Sequence, residues 1–262
     1  MLSDPHKGID RDLDVFMSSL IDPDDIYHKG HFRRLARTVE VLLKQKPEGS
    51  LLEVGTSKIV PITLAKFSPD LKVSVTDFDL TKPKKGSTIL SLNGQEVKVP
   101  CFRVDLENTP IPVPDETFDY VLCCEVLEHM EIDPMFMLAE LNRVLKQNGT
   151  LILTTPNVVS SRGITKMLNG IEPYFYMHYT KNRELHRHNY EYSIYSLTKL
   201  IKAAGFDGSA WTEDTFEDPI HKDIDRLKTA GYNLQHLGDN LFTVARKVSK
   251  VLDMQPDWMY SD

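Results

Sequence analysis

A chain of 262 residues with 41% apolar and 26% charged residues has the composition of an ordinary globular protein. Its formal net charge of −7 argues against a broad phosphate-binding surface and leaves room only for a local basic groove. No apolar run approaches the roughly 18 residues of a membrane span, the start lacks the apolar stretch of a signal peptide, and three cysteines make no disulfide framework; a reduced, cytoplasmic setting is expected.

In chain order, residues 10–46 read as helical. Phe32, Leu35, Val39, Leu42 and Leu43 recur at helical spacing with basic residues between them. Within this stretch, Tyr27 to His31 is expected either to cover the site or simply to open a helix. Pro47-Glu48-Gly49 breaks the chain. Ser50 to Val54 is then a first strand ending at Gly55, followed by a helix from Lys58 to Phe67 and a second strand from Lys72 to Thr76 ending at Asp77. Thr88 to Leu92 and Glu96 to Val99 flank Asn93-Gly94, a strong two-residue hairpin signal. Phe102 to Val104 is a short strand ending at Asp105, and Tyr120 to Cys124 is the next. Met135 to Lys146 is an amphipathic helix stopped by Asn148-Gly149. Thr150 to Thr155 is a strand closed by Pro156-Asn157, Ser193 to Ala204 a helix, and Gly208–Thr212 and Leu241–Arg246 the last strands. The β-α-β alternation predicts an α/β fold: a Rossmann-like, doubly wound, mostly parallel sheet with an N-terminal helical cover and an antiparallel C-terminal strand.

In such a sheet the ligand packs at the carboxyl ends of the strands. Gly55 permits close approach of a ligand to the first turn, yet the further glycines of a dinucleotide fingerprint are missing, which disfavours pyrophosphate. Asp77, at the end of the second strand, is placed to accept bonds from both hydroxyls of a ribose. Asp79 is its rival, and turn formation the plainer role. Asp105 ends the third strand, where it meets an adenine amino group or caps its own loop. Glu125-Val126-Leu127-Glu128-His129 follows a buried strand. If a helix begins there, Glu125, Glu128 and His129 share one face at i, i+3 and i+4. Two carboxylates and an imidazole so placed bind a divalent metal, steer a proton, or make a solvated acidic first turn.

Together these pieces resemble the class I S-adenosylmethionine-dependent methyltransferases. The resemblance spans roughly Leu51 to Phe206 and is carried by Leu-Leu-Glu-Val-Gly-Thr-Ser (51–57), Val-Thr-Asp-Phe-Asp (75–79), Arg-Val-Asp-Leu (103–106), the stretch 111–130 and Leu-Lys-Gln-Asn-Gly-Thr-Leu-Ile-Leu-Thr-Thr-Pro-Asn (145–157). It implies S-adenosylmethionine as cofactor, with Glu53, Gly55 and Thr56 near its methionine part, Asp77 and Phe78 at the ribose, and Asp105 with Leu106 at the adenine. Ser57 and Ile59 stand where the family usually has glycines.

Glu-x-x-Glu-His at this place is similar to the metal site of the small-RNA 3′-terminal 2′-O-methyltransferases and to the ubiquinone-pathway O-methyltransferases. In the RNA family a further histidine follows the fifth strand. The resemblance therefore implies Glu125, Glu128, His129 and His188 as ligands of a divalent metal, Mg²⁺ or Mn²⁺, with His186 the rival of His188. Without metal, His129, His186 or His188 becomes the general base. Pro156-Asn157 with the long polar loop after it also resembles methyltransferases acting on sugars and surface glycans. A small-molecule or glycan acceptor is expected, and nucleic acid is less favoured by the acidic charge. RNA 3′-terminal ribose and an inactive, cofactor-binding partner subunit are the alternatives. The expected organisation is a cover at 1–48, a methyltransferase domain at 49–248 with a lid or substrate loop at 157–187, and a tail at 249–262.

Overall fold

A computed structural model describes residues 9–176, 179, 181, 187–216, 222–232 and 234–261. The N-terminal stretch forms two helices rather than one: α1 (Arg11–Ser19) and α2 (Ile26–Lys44). Pro23 explains the break, because a proline disfavours helical backbone in the residue before it. Asp10 and Asp25 then cap the two helices, each accepting a hydrogen bond from an amide of the first turn.

The remaining elements alternate. β1 (Ser50–Val54), α3 (Ile59–Phe67) and β2 (Lys72–Asp77) lead to the hairpin β3 (Lys85–Leu92) and β4 (Gln95–Arg103). β5 (Phe118–Cys124), α4 (Pro134–Val144) and β6 (Leu145–Pro156) follow, then α5 (Ser161–Leu168), α6 (Ile194–Ala203), β7 (Phe206–Glu213), α7 (Lys222–Thr229) and β8 (Asn240–Lys247). At the hairpin, Asn93 and Gly94 both take positive φ, 43° and 77°, as a type I′ turn requires.

The segments 96–99 and 102–104 read as two strands in the sequence. The structure runs them together in β4, which pairs antiparallel with β3 along its length and parallel with β2 only from Cys101 onward. Pro100 thus precedes the two-sided part of the strand, a position where its missing N–H is tolerated.

The eight strands form one sheet in the order β3-β4-β2-β1-β5-β6-β8-β7. β2, β1, β5 and β6 run parallel to one another, as does the end of β4 against β2, while β8 pairs antiparallel with both β6 and β7. Both faces are covered. Leu52, Val54, Val121, Cys123, Leu151 and Leu153 point to the side of α4 and α6, and Leu51, Leu122 and Ile152 point to the side of α1, α2 and α3. This is the period-two alternation of a strand buried on both sides. Trp258, Met259 and Tyr260 of the C-terminal segment pack against the first of these clusters. No helix among the described residues is long and apolar enough to cross a membrane. Strand order reverses between β1 and β5, so a crevice opens over their carboxyl ends.

Candidate active site

Two adjoining cavities occupy that crevice. The first, about 180 Å³, is lined by Glu53 to Ser57 at the end of β1, by the inward face of α2 and by Glu125. Gly55 has φ +70°, and a Cβ there would meet Val126 Cγ2 at 3.2 Å, so the turn calls for glycine. The loop is anchored to β2: the Gly55 amide donates to Thr76 Oγ1 and Thr56 Oγ1 donates to the Thr76 carbonyl, each at 2.9 Å. Thr56 therefore fixes the loop with its side chain. Glu53 accepts from Ser57 Oγ at 2.6 Å through Oε1, while its buried Oε2 has no hydrogen-bond partner among the described residues. Burial pushes its pKa up to about 7, against the lowering effect of the Ser57 hydrogen bonds.

The other residues proposed for a cofactor lie at neighbouring strand ends, outside this lining. Asp77 closes β2, where Oδ1 accepts from the Asp79 amide at 3.3 Å. Asp79 itself is held by Lys82 at 2.7 Å and by Thr81, which together lower its pKa to about 2. Phe78 is 63% exposed, an apolar surface that a flat ring would cover. Asp105 accepts from the Glu107 amide and from Asn108 Nδ2 at 3.0 and 2.8 Å, so it shapes its own loop, and Leu106 packs on the core.

The second cavity is about 570 Å³ and shares Tyr27, Arg34 and Glu125 with the first. The run after β5 builds the boundary, though not as a helical face. Glu125 takes φ +54°, and a single 3₁₀ turn, Leu127–His129, follows. The strained backbone separates Glu125 from the other two residues. Its carboxylate receives Arg34 Nη1 at 2.6 Å, Thr154 Oγ1 at 2.9 Å and Asn240 Nδ2 at 3.1 Å. The expected sharing of one face by Glu125, Glu128 and His129 is thus corrected: Glu125 is engaged by α2, β6 and β8.

Glu128, His129 and His188 do come together, with one potential ligand atom from each within 4.8 Å of the others. Glu128 is fully buried; Oε2 accepts from Thr155 Oγ1 at 2.9 Å, and among the described residues Oε1 has no hydrogen-bond partner, His129 Nε2 lying 3.9 Å away. Burial first, and Glu125 second, raise its pKa well above the usual carboxylate range. His129 Nδ1 lies 3.0 Å from the Arg187 carbonyl, and His188 Nδ1 lies 2.5 Å from Glu191 Oε1. A carbonyl can only accept, so His129 Nδ1 carries a proton, which in the neutral ring leaves the lone pair on Nε2; Glu191 as the acceptor orients His188 the same way. A partner fixing the far nitrogen is the arrangement that orients imidazoles as metal ligands. Backbone bonds join the two segments, the Asn189 amide donating to the Glu128 carbonyl at 2.7 Å. His186 lies outside the described residues.

Sequence reasoning missed Arg34, Phe216, Asp239 and Asn240, all of which line the second cavity. A signal existed for two of them. Tyr27, His31, Arg34 and Thr38 recur on one helical face, and a strand antiparallel to β6 must begin, at Asn240, where β6 ends.

The family model described as "Methyltransferase domain" matches residues 27–209. The chain belongs to this methyltransferase family. Its cofactor is S-adenosylmethionine, and the protein is an enzyme of the transferase class. Among solved structures, the methyltransferase is similar to an S-adenosylmethionine-dependent methyltransferase of Thermotoga maritima, described as a possible histamine N-methyltransferase. The two share 18% identity over 90% of this chain and 98% of that one, with a TM-score of 0.54. It is also similar to an S-adenosylmethionine-dependent methyltransferase of Archaeoglobus fulgidus (12% identity, 86% and 100% covered, TM-score 0.55). A third, from Methanosarcina mazei, shares 13% identity over 80% of this chain and 98% of that one, with a TM-score of 0.51. At these identities the likeness is one of fold. No curated protein matches the chain in sequence.

The residues of the first cavity suit the methionine part of such a cofactor. An unpartnered carboxylate oxygen on Glu53 suits the ammonium group of its methionine part, and the bare Gly55 turn leaves room beside it.

Proposed function

We propose that this methyltransferase acts on oxygen: it methylates a hydroxyl of a sugar, a glycan or a small metabolite, with help from a divalent cation held by Glu128, His129 and His188. The observation that carries the reading is the convergence of these three side chains, with a buried carboxylate oxygen that has no hydrogen-bond partner among the described residues and both imidazoles held through Nδ1. One oxygen and two nitrogen donors suit Mn²⁺ better than Mg²⁺. Glu125 stands ready at the edge of the set, tied to Arg34.

S-adenosylmethionine supplies a methyl group made electrophilic by its sulfonium. A neutral hydroxyl is a poor nucleophile, and a bound dication supplies the Lewis acidity that lowers its pKa. The chain's own residues do the rest. Glu53 and the Gly55 turn seat the methionine part, Asp77 with Phe78 the ribose, and Asp105 with Leu106 the adenine. Arg34 neutralises Glu125 at the wall between the cavities. Glu191 and the Arg187 carbonyl hold the imidazoles of His188 and His129 in place, and in the absence of a cation these imidazoles accept the hydroxyl proton.

In this reading α2 acts as a cover, and Phe175 and Tyr176 line the acceptor side of the cavity. An RNA acceptor is disfavoured. Among the described lining residues of the second cavity, Arg34 is the one lysine or arginine, and it is paired with Glu125. The test is transfer of labelled methyl into fractionated sugars, lipids and RNA, before and after chelation, with Mn²⁺ and Mg²⁺ added back. Label entering sugars and lost in chelator is expected. Transfer that is indifferent to chelator removes the cation, and tight cofactor binding with no acceptor in any fraction favours an inactive partner subunit.

A further inference from the structure

One wall of the second cavity is not used by the metal-binding trio. His31 stands on the inward face of α2, four residues after Tyr27 and three before Arg34, and all three line the cavity. Its ring lies 4.7 Å from that of Tyr27 and meets Phe216 edge-on at 5.9 Å, centroid to centroid. Phe216 in turn stacks on Phe175 at 5.6 Å.

The neighbouring histidines are all committed: His28 to Asp25, His129 to the Arg187 carbonyl and His188 to Glu191. His31 differs. Among the described residues neither of its ring nitrogens has a hydrogen-bond partner; its contacts are the two rings. Burial, with Arg34 and His28 adding repulsion, lowers its pKa to about 4. At neutral pH it therefore offers one N–H and one lone pair. A half-buried imidazole that spends neither on the protein is placed for a ligand.

We propose that His31 is the acceptor-binding residue of the second cavity, a ring nitrogen taking the hydrogen bond of a hydroxyl on a neutral, ring-bearing acceptor that lies against Tyr27, Phe175 and Phe216. The inference rests on the reading of this cavity as the acceptor site of a methyltransferase, and it names the class of acceptor. Three facts select that class. Aromatic walls favour a ring, whether through its C–H edge or its π face. The described lining has no unpaired lysine or arginine to receive a phosphate or carboxylate. A neutral imidazole also places no second cation beside Arg34 or a sulfonium.

Side-chain ¹⁵N spectra of the protein loaded with S-adenosylhomocysteine test this, the His31 signals being those absent from His31→Phe. Methyl glucoside and phenol represent saturated and aromatic hydroxylated rings; toluene lacks the hydroxyl, and phenyl phosphate carries charge. One of the first two should give a hydrogen-bond shift at a His31 nitrogen, and toluene and phenyl phosphate none. His31→Phe keeps the packing between Tyr27 and Phe216, and should weaken that probe about tenfold while S-adenosylhomocysteine binds as before. His31→Gln, which retains an acceptor atom, should recover part of the loss. No shift from either hydroxylated ring, or full probe affinity in His31→Phe, overturns the proposal. Failure to bind S-adenosylhomocysteine at all overturns instead the reading on which it rests.

Discussion

The two cavities share a wall and are built by different means. The first is centred on a backbone turn: Gly55 and its amide bonded to β2, with the Glu53 carboxylate beside it and side chains of α2 facing it. Its longest continuous stretch is one short segment, 53–57. The second is made of side chains brought from α2, the exit of β5, the segment before α6 and the start of β8. A shape common to a whole family belongs in backbone, which tolerates sequence change, whereas selectivity for one acceptor belongs in side chains. Substitutions should therefore divide cleanly, those in the second cavity striking turnover and those in the first striking cofactor affinity.

The largest effect is expected at Glu128. Glu128→Gln keeps its volume and removes a charged ligand. Methyl transfer should fall on the order of a hundredfold or more, with S-adenosylhomocysteine affinity within about threefold by calorimetry. His188→Ala should behave alike, and chelation of the parent protein should reproduce both. A parallel loss of cofactor affinity would erase the division between the cavities.

Glu53 is the counterpart in the first cavity. Glu53→Gln should weaken S-adenosylhomocysteine by about ten- to a hundredfold, the worth of one charge-assisted bond. pH sharpens the test. With a pKa of about 7 in the free protein, Glu53 is protonated at pH 6 and must ionise to meet the ligand's ammonium. Affinity should therefore rise from pH 6 to 8 with release of a proton, and the slope should vanish in Glu53→Gln. Stability runs the other way. The unfolded carboxyl has a pKa of about 4.5, so between about 4.5 and 7 the folded state binds more protons. The ligand-free protein should then lose about 3 kcal/mol across that window as pH rises. A flat denaturation profile there would mean that Glu53 finds a partner in solution.

Asp77 should matter less, since it is half exposed and lies outside the first cavity's lining. Asp77→Ala should weaken S-adenosylhomocysteine about tenfold. Unchanged affinity would move the ribose contact to Asp79, which already holds Lys82 and Thr81.

The same division explains what could be read from the sequence. The sheet was legible because strand, turn and helix alternate locally, and the Asn93-Gly94 turn even fixes a register. Glu53 and Gly55 were legible because they share one turn. Glu128, His129 and His188 were legible as ligand types, but the place of Glu125 was not: a positive φ on a glutamate is set by the packing around it, here by Arg34 91 residues away and Asn240 115 residues away. His31 was legible only as part of a stretch expected to cover the site or open a helix, and Phe216 had no motif to mark it. They meet only because β8 turns back beside β6 and the chain before it reaches α2.

The smallest effect should come from Lys58, and it bears most directly on whether the first cavity is a backbone site. Lys58 takes φ 58° and ψ −49°, and the Ile59 amide donates to the Ser57 carbonyl at 2.7 Å. This is a γ-turn of the rarer, strained hand, held by a side chain where the family usually has glycines close by. Such a backbone costs roughly 1–3 kcal/mol for a residue with a Cβ. Glycine relieves that cost and returns about 0.5–1 kcal/mol of it as lost chain entropy on folding. Lys58→Gly should therefore stabilise the protein by about 1 kcal/mol, a rise of about 2–4 °C in Tm for a domain of this size. S-adenosylhomocysteine affinity should stay within about twofold, because the loop contributes its main chain and the Lys58 side chain does not line the cavity. A drop in affinity without a change in Tm would show that the first cavity depends on the Lys58 side chain as well as on Glu53, and the contrast with the second would then be one of degree.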